Sequence, residues 1–422
     1  MKVSLLLGAM AIVPSAVNAY PWMAERAGGD GGMDSLKQYL QGMKFDNNQL
    51  SNLTSQIKAA QAKVGDVGAP TARMTGPWNK YTKDSIYKTF GLERKASSKR
   101  GAGGSVWGVA EDEAHPYIPY DPKNPDHATW QRGPCPGLNT AANHGYLPRD
   151  GIVTPVDLFV GLWEALSLAP DLCGLLTFAG FVWKGDLAQM KMSIGGNKDV
   201  HGNVVINGPG LSQHGVLEGD SSITREDSAI GDQVHISMSR YNRFKGYCAA
   251  QSEFDVTIKS LSQARKAAFD DCVKYNPKCD MNMLRMVVAY AESGFGHEAL
   301  RGEATVFTEE MLEYWFIHER FPPGWSRRAV PVTSFEMGAW GLAVWAAAPV
   351  SPGLSLGGIY VGVPSITSVL AMGKVLGSGN TMGLVQTAVC SVMGAVTGFI
   401  PSQLTDGLSG LGVPGMSAMA SC

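Results

Sequence analysis

The chain has 422 residues, 45% of them hydrophobic, with a formal net charge of −2. That is enough for one large domain or two smaller ones with a sizeable core. It carries no basic surplus of the kind that binding nucleic acid draws on, which argues against nucleic acid as a partner.

Residues 1–19 read as a secretory signal. Lys2 gives the positive start, Val3 to Val13 the apolar run, and Val17-Asn18-Ala19 a small-residue cleavage site before Tyr20. The run is too short to span a bilayer, so the protein is expected outside the cell. Residues 20–110 form an N-terminal extension. Within it, Met33 to Val64 has the apolar spacing of an amphipathic helix, and Asn52-Leu53-Thr54 is a glycosylation sequon. Lys95 to Gly104 is basic and glycine-rich. Its plain reading is a solvated linker; the sharper one is dibasic cleavage after Arg100, which would release the extension as a propeptide.

Residues 111–422 are expected to be a single, mainly α-helical domain with a short β element. Helices are predicted at Val156–Leu168, Leu175–Val182, Val256–Lys274, Met283–Ala291 and Thr308–His318, and a strand at Asn203–Ile206. From Gly338 onward only Lys374 and Asp406 are charged. Met382 to Ile400 is long enough to raise the question of a span. Its polar residues and glycines, with no basic flank, favour buried or surface-associated helices, so membrane association is not expected.

Seven cysteines stand at 135, 173, 248, 272, 279, 390 and 422. In a secreted protein six can pair, and Cys135 is the natural odd one out. Cys272 and Cys279 flank a short turn, Cys390 and Cys422 could tie down the C-terminus, and Cys173 fits a buried position. Cys135 lies between two prolines, and Pro136 suits the first position of a helix. Cys135 therefore reads as the residue capping a helix, where dipole and free amides would lower a thiol's pKa. Such a thiolate can ligate a metal, attack an electrophile, or do neither.

Two more motifs carry chemistry. Glu218-Gly219-Asp220-Ser221-Ser222 gathers hard oxygen ligands suited to Mg²⁺ or Ca²⁺, although Asp220 or Ser222 could equally cap a turn. Arg285 and Glu292 are seven residues apart, about 10.5 Å of helix with about 20° of drift, so both project from one face. Their apolar neighbours mean that the charges are functional or belong to a structural ion pair. His144, His214 and His235 read as structural or capping residues.

Taken together, the motifs resemble those of the fungal haem-thiolate peroxidases, the family of chloroperoxidase and the unspecific peroxygenases. The match runs from Asp112-Glu-Ala-His-Pro through Arg132-Gly-Pro-Cys-Pro-Gly-Leu-Asn-Thr, His144-Gly-Tyr-Leu-Pro-Arg and Glu218-Gly-Asp-Ser-Ser-Ile-Thr-Arg to Arg285 and Glu292. The resemblance implies a compact helical domain holding haem b, with Cys135 as axial ligand to iron. It implies a structural Mg²⁺ at Glu218, the Gly219 carbonyl, Asp220 and Ser222. It makes Glu292 the distal acid–base residue with Arg285 its partner, and places Leu217, Leu284, Val288 and Phe295 around the pocket. Glu-Gly-Asp with an Arg–Glu pair resembles the long branch; the short branch uses Glu-His-Asp and histidine, so halide oxidation is not the expected main activity. The implied co-substrate is H₂O₂, with a small apolar or aromatic substrate and no reductase partner. Oligomeric state stays open. Two alternatives remain: a tailoring oxidase of fungal secondary metabolism with one preferred substrate, or a haem-binding surface protein without turnover.

Overall fold

The computed structural model describes residues 46–64, 110–215, 217–328, 331–356, 359–362 and 411. The leader, the stretch around Arg100, Met382–Ile400, Cys390 and Cys422 lie outside them. Among the described residues the chain forms α1 (Asn47–Val64), α2 (Pro136–Asn143), α3 (Pro155–Leu166), α4 (Pro170–Lys184), α5 (Met238–Ala249), α6 (Ile258–Tyr275), α7 (Met283–Arg301), α8 (Glu309–Glu313) and α9 (Ser334–Ala347). A π-helical turn, Tyr314–His318, continues α8. The strands are β1 (Ile152–Val153), β2 (Met192–Ser193), β3 (Asp280–Met281), β4 (Gly353–Leu356) and β5 (Ile359–Gly362). β1 pairs antiparallel with β2, and β3, β4 and β5 form a second antiparallel sheet in that order. The fold is mainly α with small β elements, as expected.

Local chemistry sets the helix starts. Thr154 caps α3 in a reciprocal box with Asp157, and Pro155 supplies the preset first residue. Thr257 and Ser260 do the same for α6, and Asn282 caps α7 at the Arg285 amide. The α3 end is a left-handed Ser167 with φ 53°. Asp171 of α4 accepts the Ser334 amide at 2.9 Å, so one helix caps the start of another.

Several expectations change. The predicted strand at Asn203–Ile206 reduces to a single bridge between Lys198 and Val204. Val204 is 60% exposed, so no burial stabilises an extended segment there. The helix predicted to end at Ala291 runs on to Arg301 through Gly294 and Gly296. Gly294 meets α9 so closely that a Cβ there would lie 2.7 Å from Trp340 Cβ, and one at Gly341 would lie 2.8 Å from the Tyr290 carbonyl oxygen. Glycine thus marks a helix crossing rather than a helix stop. Gly294→Ala is expected to pry α7 from α9 and cost about 1–3 kcal/mol by overpacking. Thermal denaturation checks it, and an unshifted midpoint would mean that the crossing has slack.

Helix α1 shares the main core. Leu50, Leu53, Ile57 and Ala60 are buried in one cluster with α3 and α4 residues, and Gln61 Nε2 donates to the Leu411 carbonyl at 2.9 Å. The boundary drawn at residues 110/111 therefore runs between segments that share one core. Asn52 lies on the exposed face of α1. No helix among the described residues is long and apolar enough to cross a membrane.

Among the described residues one disulfide, Cys272–Cys279, joins the end of α6 to the residue before β3. Cys173 is free and buried, as its apolar surroundings predicted, and Cys248 is free and buried as well, so among the described residues Cys135 is not the only unpaired thiol. Both thiols are pushed upward by burial, consistent with small apolar side chains in a core.

Of the three histidines, His235 is exposed against Asp232, and His144 is buried. His144 Nδ1 donates to the His115 carbonyl at 3.0 Å, and Nε2 accepts the Phe321 amide at 3.4 Å. A carbonyl only accepts and an amide only donates, so this ring is neutral. Burial holds its pKa down at about 4, against the His115 carbonyl and Glu111, which favour the charged ring. A depressed base contributes stability above its unfolded value of 6.5 that is lost as pH falls toward 4. The expected loss is at most about 3 kcal/mol. Denaturant midpoints measured from pH 7.5 to 4 should show it, and His144→Gln should remove that slope; an equal slope in the variant would assign it elsewhere.

Candidate active site

Cys135 caps α2 in an extended conformation, φ −85° and ψ 110°, and its side chain makes no capping hydrogen bond. The loop before it is clamped. Gly133 N–H donates to Asn139 Oδ1 at 3.0 Å, and Asn139 Nδ2 returns a bond to the Gly133 carbonyl at 2.8 Å. A Cβ on Gly133 would lie 2.0 Å from the Ile194 carbonyl oxygen, so only glycine fits. Arg132 ties the same loop to Asn143 Oδ1 at 2.9 Å and to the Arg149 carbonyl at 3.0 Å. The thiol is thus delivered to a fixed point on the wall of a cavity.

That cavity, about 1200 Å³ including its open mouth, gathers Cys135, Glu218, Gly219, Ser222, Arg285 and Glu292. Leu217, Val288 and Phe295 line it as expected. Leu284 is not among its lining residues. Residues 285, 288, 289, 292, 293, 295 and 296 form the stripe of α7 that lines it. The stripe gains partners that sequence reasoning missed. Phe244 of α5, Phe307 before α8 and Phe316 of the π turn also line the cavity, so four phenylalanines face it rather than Phe295 alone.

The acidic loop divides its labour. Asp220 Oδ1 lies 3.1 Å from His214 Nε2, and Oδ2 accepts the Asp280 amide at 2.9 Å. Each of its oxygens holds one protein contact, so Asp220 braces the loop while it also lines the cavity. Ser222 Oγ accepts the Arg225 amide at 3.2 Å, the capping-turn alternative, while still lining the cavity. Ser221 between them holds φ 67°, a strained value for a residue with a side chain. Its amide donates to buried Asp227 Oδ1 at 3.0 Å, which helps hold that conformation. The Asp220, Asp227 and Cys272 ligand atoms lie within 4.8 Å of one another, but the Cys272 sulfur is committed to its disulfide.

The charge balance is informative. Burial pushes the Cys135 thiol up to about 11. The Leu138 and Gly137 amides at the helix start do pull it down, as the helix-end argument anticipated, but desolvation wins. Glu218 is raised to about 8, first by burial and then by Glu292, against Arg225, Lys184 and Arg265. The cavity therefore holds two acidic groups that favour their protonated forms and would be matched by added positive charge. A thiolate-ligated iron at Cys135 and a hard divalent cation at Glu218, the Gly219 carbonyl and Ser222 meet that need with appropriate donors. The residues present fit both groups.

Arg285 and Glu292 do line one cavity, but they are not each other's ion-pair partner. Arg285 Nη1 lies 3.3 Å from Asp280 Oδ2, 3.2 Å from the Asp280 carbonyl and 3.4 Å from His214 Nε2. Glu292 Oε2 instead meets Arg265 Nη2 of α6 at 3.2 Å. The expected pair is corrected because the long Arg265 side chain reaches across from α6, a helix seated on α9, and brings a second guanidinium to the carboxylate. A signal for it was present. Leu261, Ala264, Arg265, Ala268 and Cys272 form a buried stripe at helical spacing, and one charge on such a stripe calls for a partner.

Comparison with known proteins places the chain among peroxidases. A family model described as peroxidase, family 2, matches residues 115–330, about half of the chain. An aromatic peroxygenase of Coprinellus radians is 31% identical over 192 residues, covering 44% of this chain and 70% of that relative. An aromatic peroxygenase of Cyclocybe aegerita is 28% identical over 257 residues, covering 60% and 67%. An aromatic peroxidase of Fusarium equiseti is 31% identical over 246 residues, covering 51% and 55%.

Proposed function

We propose, from the premise that this chain belongs to peroxidase family 2, that it is a haem-thiolate peroxygenase using H₂O₂ to oxygenate small apolar or aromatic substrates. Membership makes it an oxidoreductase of peroxidase type that works with H₂O₂. The finer reading is carried by one observation: a free thiol, the Glu292 carboxylate of α7 and four phenylalanines line one cavity.

Haem bound through Cys135 would supply the redox chemistry of O–O cleavage, to which a thiolate donates electron density. The protein groups do the rest. The Glu292 side chain, 56% exposed, takes a proton from H₂O₂ and returns it to the departing oxygen, which leaves as water. Glu218, the Gly219 carbonyl and Ser222 would hold Mg²⁺, neutralising a buried carboxyl and fixing the loop. Phe244, Phe295, Phe307 and Phe316 select an apolar substrate by shape and ring contact. We place the protein outside the cell. The Cys272–Cys279 bridge suits an oxidising compartment, and the Asn52 sequon sits on an exposed helix face.

The test supplies haem-loaded protein with H₂O₂ carrying heavy oxygen and a small aromatic hydrocarbon, with no reductase. Labelled hydroxylated product is expected. Coupling products without label would leave one-electron peroxidase activity alone. Turnover confined to a single substrate among many would favour the tailoring oxidase.

A further inference from the structure

Resting on the reading of Glu292 as the acid–base residue, we propose that Arg265 is its positioning residue and that it locks the carboxylate to the acidic loop. Three bonds fix the guanidinium. Nε donates to Ser293 Oγ at 2.7 Å, Nη2 to Glu292 Oε2 at 3.2 Å and Nη1 to the Ser221 carbonyl at 3.4 Å. Ser293 is itself held, since its Oγ donates to the Ala289 carbonyl one turn back on α7. Arg265 is 6% exposed, so little solvent screens this pair on the arginine side.

The geometry separates the roles of two arginines. Arg285 packs along Gly219, where a Cβ would lie 3.1 Å from its Cδ, and its guanidinium joins Asp280 and His214. It knits the acidic loop to the start of α7. Arg265 reaches from a different helix to the carboxylate that moves the proton. Planarity lets its fork hold Glu292 on one prong while the others grip Ser293 and Ser221. Because Ser221 is the strained residue next to Asp220 and Ser222, a displacement of the acidic loop is transmitted to the Glu292 carboxylate through one side chain. The resulting arrangement differs from an Arg–Glu pair on a single helix: two helices and a loop must all be in place before the carboxylate is aimed.

A mutant cycle tests this on haem-loaded protein. Arg265→Gln is expected to lower kcat/KM for peroxide about 10–100-fold, with KM for the aromatic substrate changed by less than about twofold. Arg265→Lys keeps one donor and the charge and should restore a large part of the loss. In a Glu292→Gln background, Arg265→Gln should add less than about a twofold effect, because its route of action has been removed. Cyanide association, followed by the Soret shift, gives a binding readout. Hydrogen cyanide also gives up a proton on binding, so its on-rate should fall in parallel with that for peroxide. Ser293→Ala, the milder variant should Arg265→Gln not fold, is expected to show a few-fold loss that likewise vanishes without Glu292. A full, additive loss in the Glu292→Gln background, or no loss in Arg265→Gln, would overturn the assignment. Wild-type protein that binds no haem, or shows no peroxide turnover, would instead reject the underlying reading.

Discussion

Glu292→Gln is expected to lower kcat/KM for peroxide by about two to four orders of magnitude while leaving bound haem spectrally normal. The substitution keeps the shape and the hydrogen-bonding capacity toward Arg265 but removes the group that accepts a proton. Glu292 stands on the cavity stripe of α7, two residues from the Gly294 crossing that fixes this helix against α9. A carboxylate held this way need not reorganise when peroxide arrives, which is where such a group gains its effect. Rapid mixing of the variant with peroxide checks the prediction. Near-normal reaction rates would remove Glu292 from proton transfer, and another group lining the cavity would then have to be sought.

Cys135→His is expected to abolish oxygen insertion and to move the reduced-CO Soret band away from the position a thiolate gives. The folded chain presents this sulfur at a helix start with the Gly137 and Leu138 amides beside it, in surroundings that raise its pKa to about 11. Those amides are too few to stabilise a bare thiolate against burial, so the anion depends on a bound cation. Imidazole can ligate iron as a neutral group, but it donates less electron density than sulfur. The variant should therefore bind haem yet fail at the chemistry. An unchanged spectrum would reject Cys135 as the axial ligand.

Much of this site can be read in the chain because its parts are local. Pro134-Cys135-Pro136 announces a thiol at a helix start, and residues 218–222 form a compact loop. The seven-residue spacing of Arg285 and Glu292 survives as one cavity stripe. What could not be read depends on residues distant in sequence. Arg265 reaches Glu292 from a separate helix, α6, and Phe244, Phe307 and Phe316 converge from three separate segments. Spacing predicts which residues share a face, not what faces them. That is why Arg285 looked like the partner of Glu292, although its guanidinium turns to Asp280. The cysteine count misled for a related reason. Parity suggested a partner for Cys248, whereas it is a buried free thiol like Cys173, whose apolar neighbours had already marked it as one.

Helix α1 has a practical consequence for producing the protein. Its Leu53 and Ile57 are fully buried against α3 and α4, and Gln61 reaches the backbone at Leu411. A shortened gene begun at Glu111 would leave that apolar trough open to water, a surface that invites aggregation. Cutting the backbone between α1 and the rest is a different operation from deleting α1. The severed helix would still have its seat, so two fragments supplied together can behave as one folded body.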